Sequence, residues 1–105
     1  MNILVFGGSG FTGLHVVEEV LRKGHRVAIL TRKSNSVSIN NPNLTVIEGD
    51  VLKSSDVLAA LEGKDAVIQC LGISGKGDGQ PNNFVSSANK IIVQSMEALN
   101  IQNIL

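Results

Sequence analysis

Tryptophan and tyrosine are absent from this 105-residue chain, and phenylalanine occurs three times. Without aromatic platforms on which bases could stack, single-stranded nucleic acid is a poor ligand. The nine acidic and nine basic side chains cancel. No long-range field therefore favours a polyanion or an anionic membrane surface. One cysteine, Cys70, cannot form an internal disulfide and fits a reducing compartment. No apolar run approaches the roughly 20 residues of a membrane span, and the N-terminal run lacks the length and basic flank of a signal peptide. These absences lead to the expectation of a cytoplasmic protein without nucleic-acid or membrane partners. On that expectation the sequon Asn43-Leu44-Thr45 is silent.

Glycine, by contrast, is plentiful, with eleven residues, and the first of them carry the most information. The segment MNILVFGGSGFTG runs from an apolar stretch, Ile3–Phe6, into Gly7, Gly10 and Gly13 at three-residue spacing. A helix-compatible segment follows. The pattern reads as a strand, a tight turn and a helix N-terminus facing a phosphate. Gly7 permits the sharp exit from the strand. Gly10 lets the backbone approach a pyrophosphate, and Gly13 lets the helix pack close to the sheet. Amides near Phe11 and Thr12, with the Ser9 and Thr12 hydroxyls, would hold the negative charge.

The remaining pattern alternates strands and helices. Strands are expected at Asn2–Phe6, Arg26–Thr31, Leu44–Glu48 and Asp65–Leu71, with the start of a fifth at Gln102–Leu105. Helices are expected at Phe11–Lys23, stopped by Gly24, and from a Ser54 or Ser55 cap to about Leu61, stopped by Gly63. A longer helix is expected from an Asn82 or Asn83 cap to Leu99. Its inward side would hold Phe84, Ala88, Ile91, Ile92, Ser95, Met96 and Leu99. This alternation predicts an α/β fold, a single Rossmann-type doubly wound parallel domain over residues 1–105. Its strand order would be 3-2-1-4, truncated after about four strands, with ligands at the switch point between strands 1 and 4.

The end of strand 2 discriminates between cofactors. A carboxylate there would suit the ribose 2′-hydroxyl of NAD; a basic residue suits the 2′-phosphate of NADP. The sequence is Leu30-Thr31-Arg32-Lys33. Arg32 can grip the phosphate and stack on adenine, with Lys33 assisting. NADP(H) is therefore favoured over NAD(H). After strand 3, Asp50 and Val51 either meet the adenine, at its amino group and its face, or Asp50 caps the turn into the next helix. Leu71 and Gly72, after strand 4, lie beside the expected cofactor path. The glycine-rich stretch 72–83 reads equally as a lid over the substrate or as a plain connector.

Taken together, FGGSGFTG, LTRK and EGDVLKSSDVLAALEGKDAVIQCLG resemble the atypical short-chain dehydrogenase/reductase superfamily. The chain is most similar to its NAD(P)H-binding proteins of the flavin reductase and biliverdin-IXβ reductase type. The resemblance covers essentially the whole chain. It implies NADPH bound along the strand ends, with hydride passed to a flavin or tetrapyrrole. By matching position it assigns the cofactor role to Gly7, Gly10, Thr12, Gly13, Arg32, Asp50, Val51, Leu71 and Gly72. The superfamily's Tyr-x-x-x-Lys pair has no counterpart, since there is no tyrosine, so the resemblance names no catalytic residue. Members run to roughly twice this length. The C-terminal half of that fold is thus expected to be absent, and the 105-residue chain alone to be inactive.

Other candidates carry less. His15 and His25 are not spaced as zinc ligands, and no metal site is expected. Cys70 reads as a small buried hydrophobe. Gly75-Lys76-Gly77 lacks the hydroxyl residue of a phosphate-binding loop. The expected activity is an NAD(P)H-dependent reductase with a small-molecule acceptor; the alternative is a dinucleotide-binding redox sensor without turnover. An open apolar edge on strand 4 would favour self-association.

Overall fold

A computed structural model describes residues 1–7, 11–32, 37, 39–70, 82–101 and 103–104. For 11, 12, 82–86, 103 and 104 it describes the backbone alone. The elements in chain order are β1 (Asn2–Phe6), α1 (Phe11–Arg22), β2 (Arg26–Thr31), β3 (Leu44–Glu48), α2 (Ser54–Leu61), β4 (Ala66–Gln69), α3 (Asn82–Ala98) and β5 (Asn103–Ile104). All strand pairings are parallel, in the order β3-β2-β1-β4-β5. This is the expected order with β5 added as a two-residue strand. β5 pairs with Ala66 and Val67, so that side of β4 is covered over these two residues.

The unbroken apolar character of β1 and β2 follows from having two faces to bury. Leu4, Phe6, Ala28, Leu30 and Val67 point to one side and pack with Val57, Ala60 and Leu61 of α2 and Ile92 and Met96 of α3. Ile3, Val5, Val27, Ile29 and Ala66 point to the other side, against Val17 and Leu21 of α1. The result is a three-layer sandwich in which period-two alternation in the strands meets period-3.6 spacing in the helices. Burying one side chain the size of Leu61 contributes about 1.5–3 kcal/mol.

Two helices end in the same way. At the end of α1, His25 N–H donates to Val20 O and Gly24 N–H to Leu21 O, with Gly24 at φ +88. At the end of α3, Ile101 N–H donates to Met96 O and Asn100 N–H to Glu97 O, with Asn100 at φ +60. Both are Schellman turns, closed by the two residue types that best tolerate a left-handed backbone.

Several boundaries differ from expectation. Ser54 opens α2 from inside; the cap position is Lys53, extended and without a side-chain bond. Lys53 is set there by its N–H donating to Asp50 O, which closes a turn just before the helix. β4 is shorter than Asp65–Leu71. Asp65 precedes it and is tied to Asn2 twice, its N–H to Asn2 O at 2.7 Å and its carboxylate to Asn2 N at 2.8 Å. Leu99 does not face inward; it lies in the turn after α3 and is exposed. Ala88, Ile92, Ser95 and Met96 are buried, and Ile91 is half-buried. The stretch 71–81, which holds most of the glycine-rich segment, lies outside the described residues.

Candidate functional site

Parallel pairing gathers the carboxyl ends of the strands along one edge of the sheet. Phe6 is opposite both Leu30 and Gln69, and Thr31 is opposite Glu48. Bonds just beyond the strands continue this alignment: Gly49 N–H donates to Thr31 O at 2.9 Å, and Cys70 N–H to Phe6 O at 2.8 Å. Asp50, Arg32, Gly7 and Cys70 therefore follow the strand ends in the spatial order β3, β2, β1, β4. The chain leaves β1 toward β2 on one side and returns to β4 on the other. The crevice at the end of β1 is thus the switch point of the sheet, where doubly wound folds bind ligands.

Gly7 leaves β1 at φ +80, a backbone that glycine adopts without strain. α1 begins at Phe11, and its first turn contains no acidic residue. The positive end of its dipole is therefore not neutralised from within. Gly13, in α1, is buried. These features suit a pyrophosphate. Ser9, Gly10, Lys33, Leu71 and Gly72 lie outside the described residues, as do the side chains of Phe11 and Thr12.

Arg32 follows β2 directly and is exposed. Asp50 and Val51 are half-buried after β3. The Asp50 carboxylate accepts the Leu52 N–H through Oδ1 at 2.9 Å, so it does form the local turn that was one of its two sequence readings. Among the described residues its Oδ2 is unengaged, so the second reading remains compatible with the first. Sequence reasoning missed Asp56, whose Oδ2 accepts the Asp50 N–H at 2.9 Å. The only signal for it was an acid in the first turn of α2.

Cys70 is buried and its thiol is pushed up by that burial. It is a free cysteine within the core, as its sequence context suggested. His15 is exposed on α1. Among the described residues no group of three potential ligands could hold a metal ion, and no helix is long and apolar enough to cross a membrane. A cleft of about 470 Å³ opens at the opposite edge of the sheet, among Asn2, Arg26, Pro42, Thr45 and Lys64. It shares no lining residue with the edge that carries Gly7, Arg32 and Asp50.

A parallel sheet wound both ways from its first strand, with a glycine turn leading from that strand into a helix, defines the dinucleotide-binding class of α/β proteins. The chain matches the NAD(P)H-binding family over residues 7–105 and belongs to it. A nicotinamide dinucleotide is the cofactor of that family. UDP-glucose 4-epimerase of Klebsiella pneumoniae is 28% identical over 120 residues, spanning 100% of this chain and 86% of the relative. An isoflavone reductase homolog of Zea mays is 33% identical over 80 residues, spanning 68% of this chain and 26% of the relative. Among solved structures, a Rossmann-fold NAD(P)-binding family protein from Shigella flexneri superposes with a TM-score of 0.79 at 19% identity. That match covers 98% of this chain and 49% of the other. The chain thus spans about a quarter of the plant relative and about half of the solved structure.

Proposed function

We propose that this chain is the dinucleotide-binding part of an NAD(P)H-dependent reductase that prefers NADP(H) and delivers hydride to a flavin-like or other aromatic acceptor. The observation that carries this reading is the row along the carboxyl edge. Gly7 turns out of β1, α1 opens without an acid, and Arg32 rather than a carboxylate follows β2. The reductase relative supports the reaction class.

The nicotinamide supplies the hydride once bound. The chain's part is to hold and orient it. Gly7 and the start of α1, with Ser9, Gly10, Phe11, Thr12 and Gly13, would take the pyrophosphate. Arg32, helped by Lys33, would take the 2′-phosphate. Asp50 and Val51 would meet the adenine, while Leu71 and Gly72 would flank the path toward the nicotinamide.

Alignment of the whole chain with a UDP-glucose 4-epimerase favours a second reading, in which the substrate is a nucleotide sugar. Calorimetric titration of the chain with NADPH and NADH tests the cofactor, with tighter NADPH binding expected. Equal affinities would remove the preference, and no heat with either would remove the function. Adding FMN to the NADPH-loaded protein, and UDP-glucose to the protein loaded with the oxidised dinucleotide, then separates the two readings, since the flavin accepts hydride and a sugar alcohol can only give it up. Oxidation of the nicotinamide, followed by its absorbance, on adding FMN supports the reductase.

A further inference from the structure

We propose that Asp56 is a positioning residue for the adenine end of the cofactor site, acting through the backbone of Asp50. The inference rests on the reading that Asp50 and Val51 meet the adenine, and it deepens that reading. An acid in the first turn of a helix ordinarily serves the helix, by favourable interaction with its dipole or by bonding to its open amides. In α2 the bond goes elsewhere. Asp56 Oδ2 accepts the N–H of Asp50, six residues back and outside the helix, at 2.9 Å in partly buried surroundings.

In the loop from Gly49 to Lys53, the amides of Gly49, Asp50, Leu52 and Lys53 each have a partner. Gly49 N–H donates to Thr31 O at 2.9 Å, which fixes the loop's start to β2. Asp50 N–H is taken by Asp56, Leu52 N–H by Asp50 Oδ1 at 2.9 Å, and Lys53 N–H by Asp50 O at 3.0 Å. Lys53 O in turn accepts Asp56 N–H at 3.0 Å, so Asp56 is anchored by the loop that it anchors. The start of the loop is also closely packed. A Cβ on Gly49 would lie 2.9 Å from Leu30 Cδ1 and 3.3 Å from both Cβ and Oδ2 of Asp56.

With one carboxylate oxygen of Asp50 engaged by the Leu52 N–H, the other is left to accept from a base amino group. The orientation of that oxygen is set by the Asp50 backbone, which Asp56 holds. Removing the Asp56 acceptor would free the turn and leave the Asp50 amide unsatisfied. Asparagine at 56 retains an oxygen for the same N–H, so the role needs an acceptor rather than a charge.

The test measures affinity for three probes in wild type, Asp56→Ala and Asp56→Asn. NADPH and adenosine 2′,5′-bisphosphate carry adenine; reduced nicotinamide mononucleotide does not. Asp56→Ala is expected to weaken both adenine-bearing probes by about tenfold, the scale of one lost hydrogen bond to a charged group, and to leave the mononucleotide unchanged. Asp56→Asn is expected to stay within about twofold of wild type. A folded Asp56→Ala that binds the adenine probes like wild type overturns the proposal, as does Asp56→Asn falling as far as Ala. Hydrogen exchange on wild type does not depend on either variant folding. A protected Asp50 amide supports the bond, and a freely exchanging one overturns it. If wild-type protein binds NADPH but not adenosine 2′,5′-bisphosphate, the adenine reading itself fails, whatever the variants do.

Discussion

The side-chain amide of Gln69 donates to the side-chain oxygen of Asn89, tying the last residue of β4 to the middle of α3. Both side chains are half-buried. Because Gln69 lies opposite Phe6, the bond also steadies the strand end beside the switch point. Gln69→Leu leaves Asn89 without this partner and is expected to lower stability by about 1–2 kcal/mol. Replacing both residues by leucine should recover part of the loss. Denaturant unfolding of the two single variants and the double variant measures it.

Arg32→Ala removes the one described basic side chain at the end of β2. NADPH affinity is expected to fall by roughly tenfold to a hundredfold, the scale of a charge-assisted phosphate contact, while NADH stays within about twofold. Calorimetry with both dinucleotides reads the difference. Equal weakening of the two would assign Arg32 a role other than phosphate recognition.

Gly49→Ala tests the packing at the start of the β3–α2 loop. The added methyl would meet Leu30 Cδ1, the far end of a side chain buried in the core, and also Asp56 Cβ. An overpacking loss of about 1–3 kcal/mol is expected. Thermal and denaturant melts report it.

Cys70 gives the stability a pH dependence. Burial raises its pKa in the folded protein, so the native state keeps the thiol neutral. The unfolded chain ionises near its ordinary value of about 8.5. Between that value and the raised folded value the unfolded state carries fewer protons, so stability falls as pH rises. Cys70→Ala is expected to flatten this alkaline limb. Unfolding curves for both proteins from neutral to alkaline pH measure the contrast. Alkylation of the native thiol at neutral pH should also be slow.

Much of the fold was legible because several signals agreed at each element. β1 to β3 match the expected strands residue for residue, and in β1 and β2 the signal was continuous hydrophobicity, which a strand buried on two faces requires. Gly24 and Gly63 marked helix ends, and both adopt a left-handed backbone. The cap of α2 was misread because serine is favoured at a cap by propensity, whereas here the preceding turn places Lys53 there. Leu99 was assigned to the core by helical spacing that continued past the actual end of α3. At the candidate site, Gly7, Arg32 and Asp50 could be singled out because glycine and charge at strand ends are local signals. The Asp56–Asp50 and Gln69–Asn89 bonds were not, because each depends on how separate segments lie in space.

Apart from Gly7 at the end of β1, the positive-φ residues among those described, Gly24, Gly63 and Asn100, each stand between a helix and the strand that follows. They therefore cluster on the margin where strands begin, whereas Arg32, Asp50 and Gly7 occupy the margin where strands finish. Tight, conformationally demanding corners set the spacing of the layers on one side. The other side is left to longer connections whose side chains can be exchanged without reshaping those corners. Such a layout lets a new ligand preference arise by altering one rim while the scaffold stays as it is.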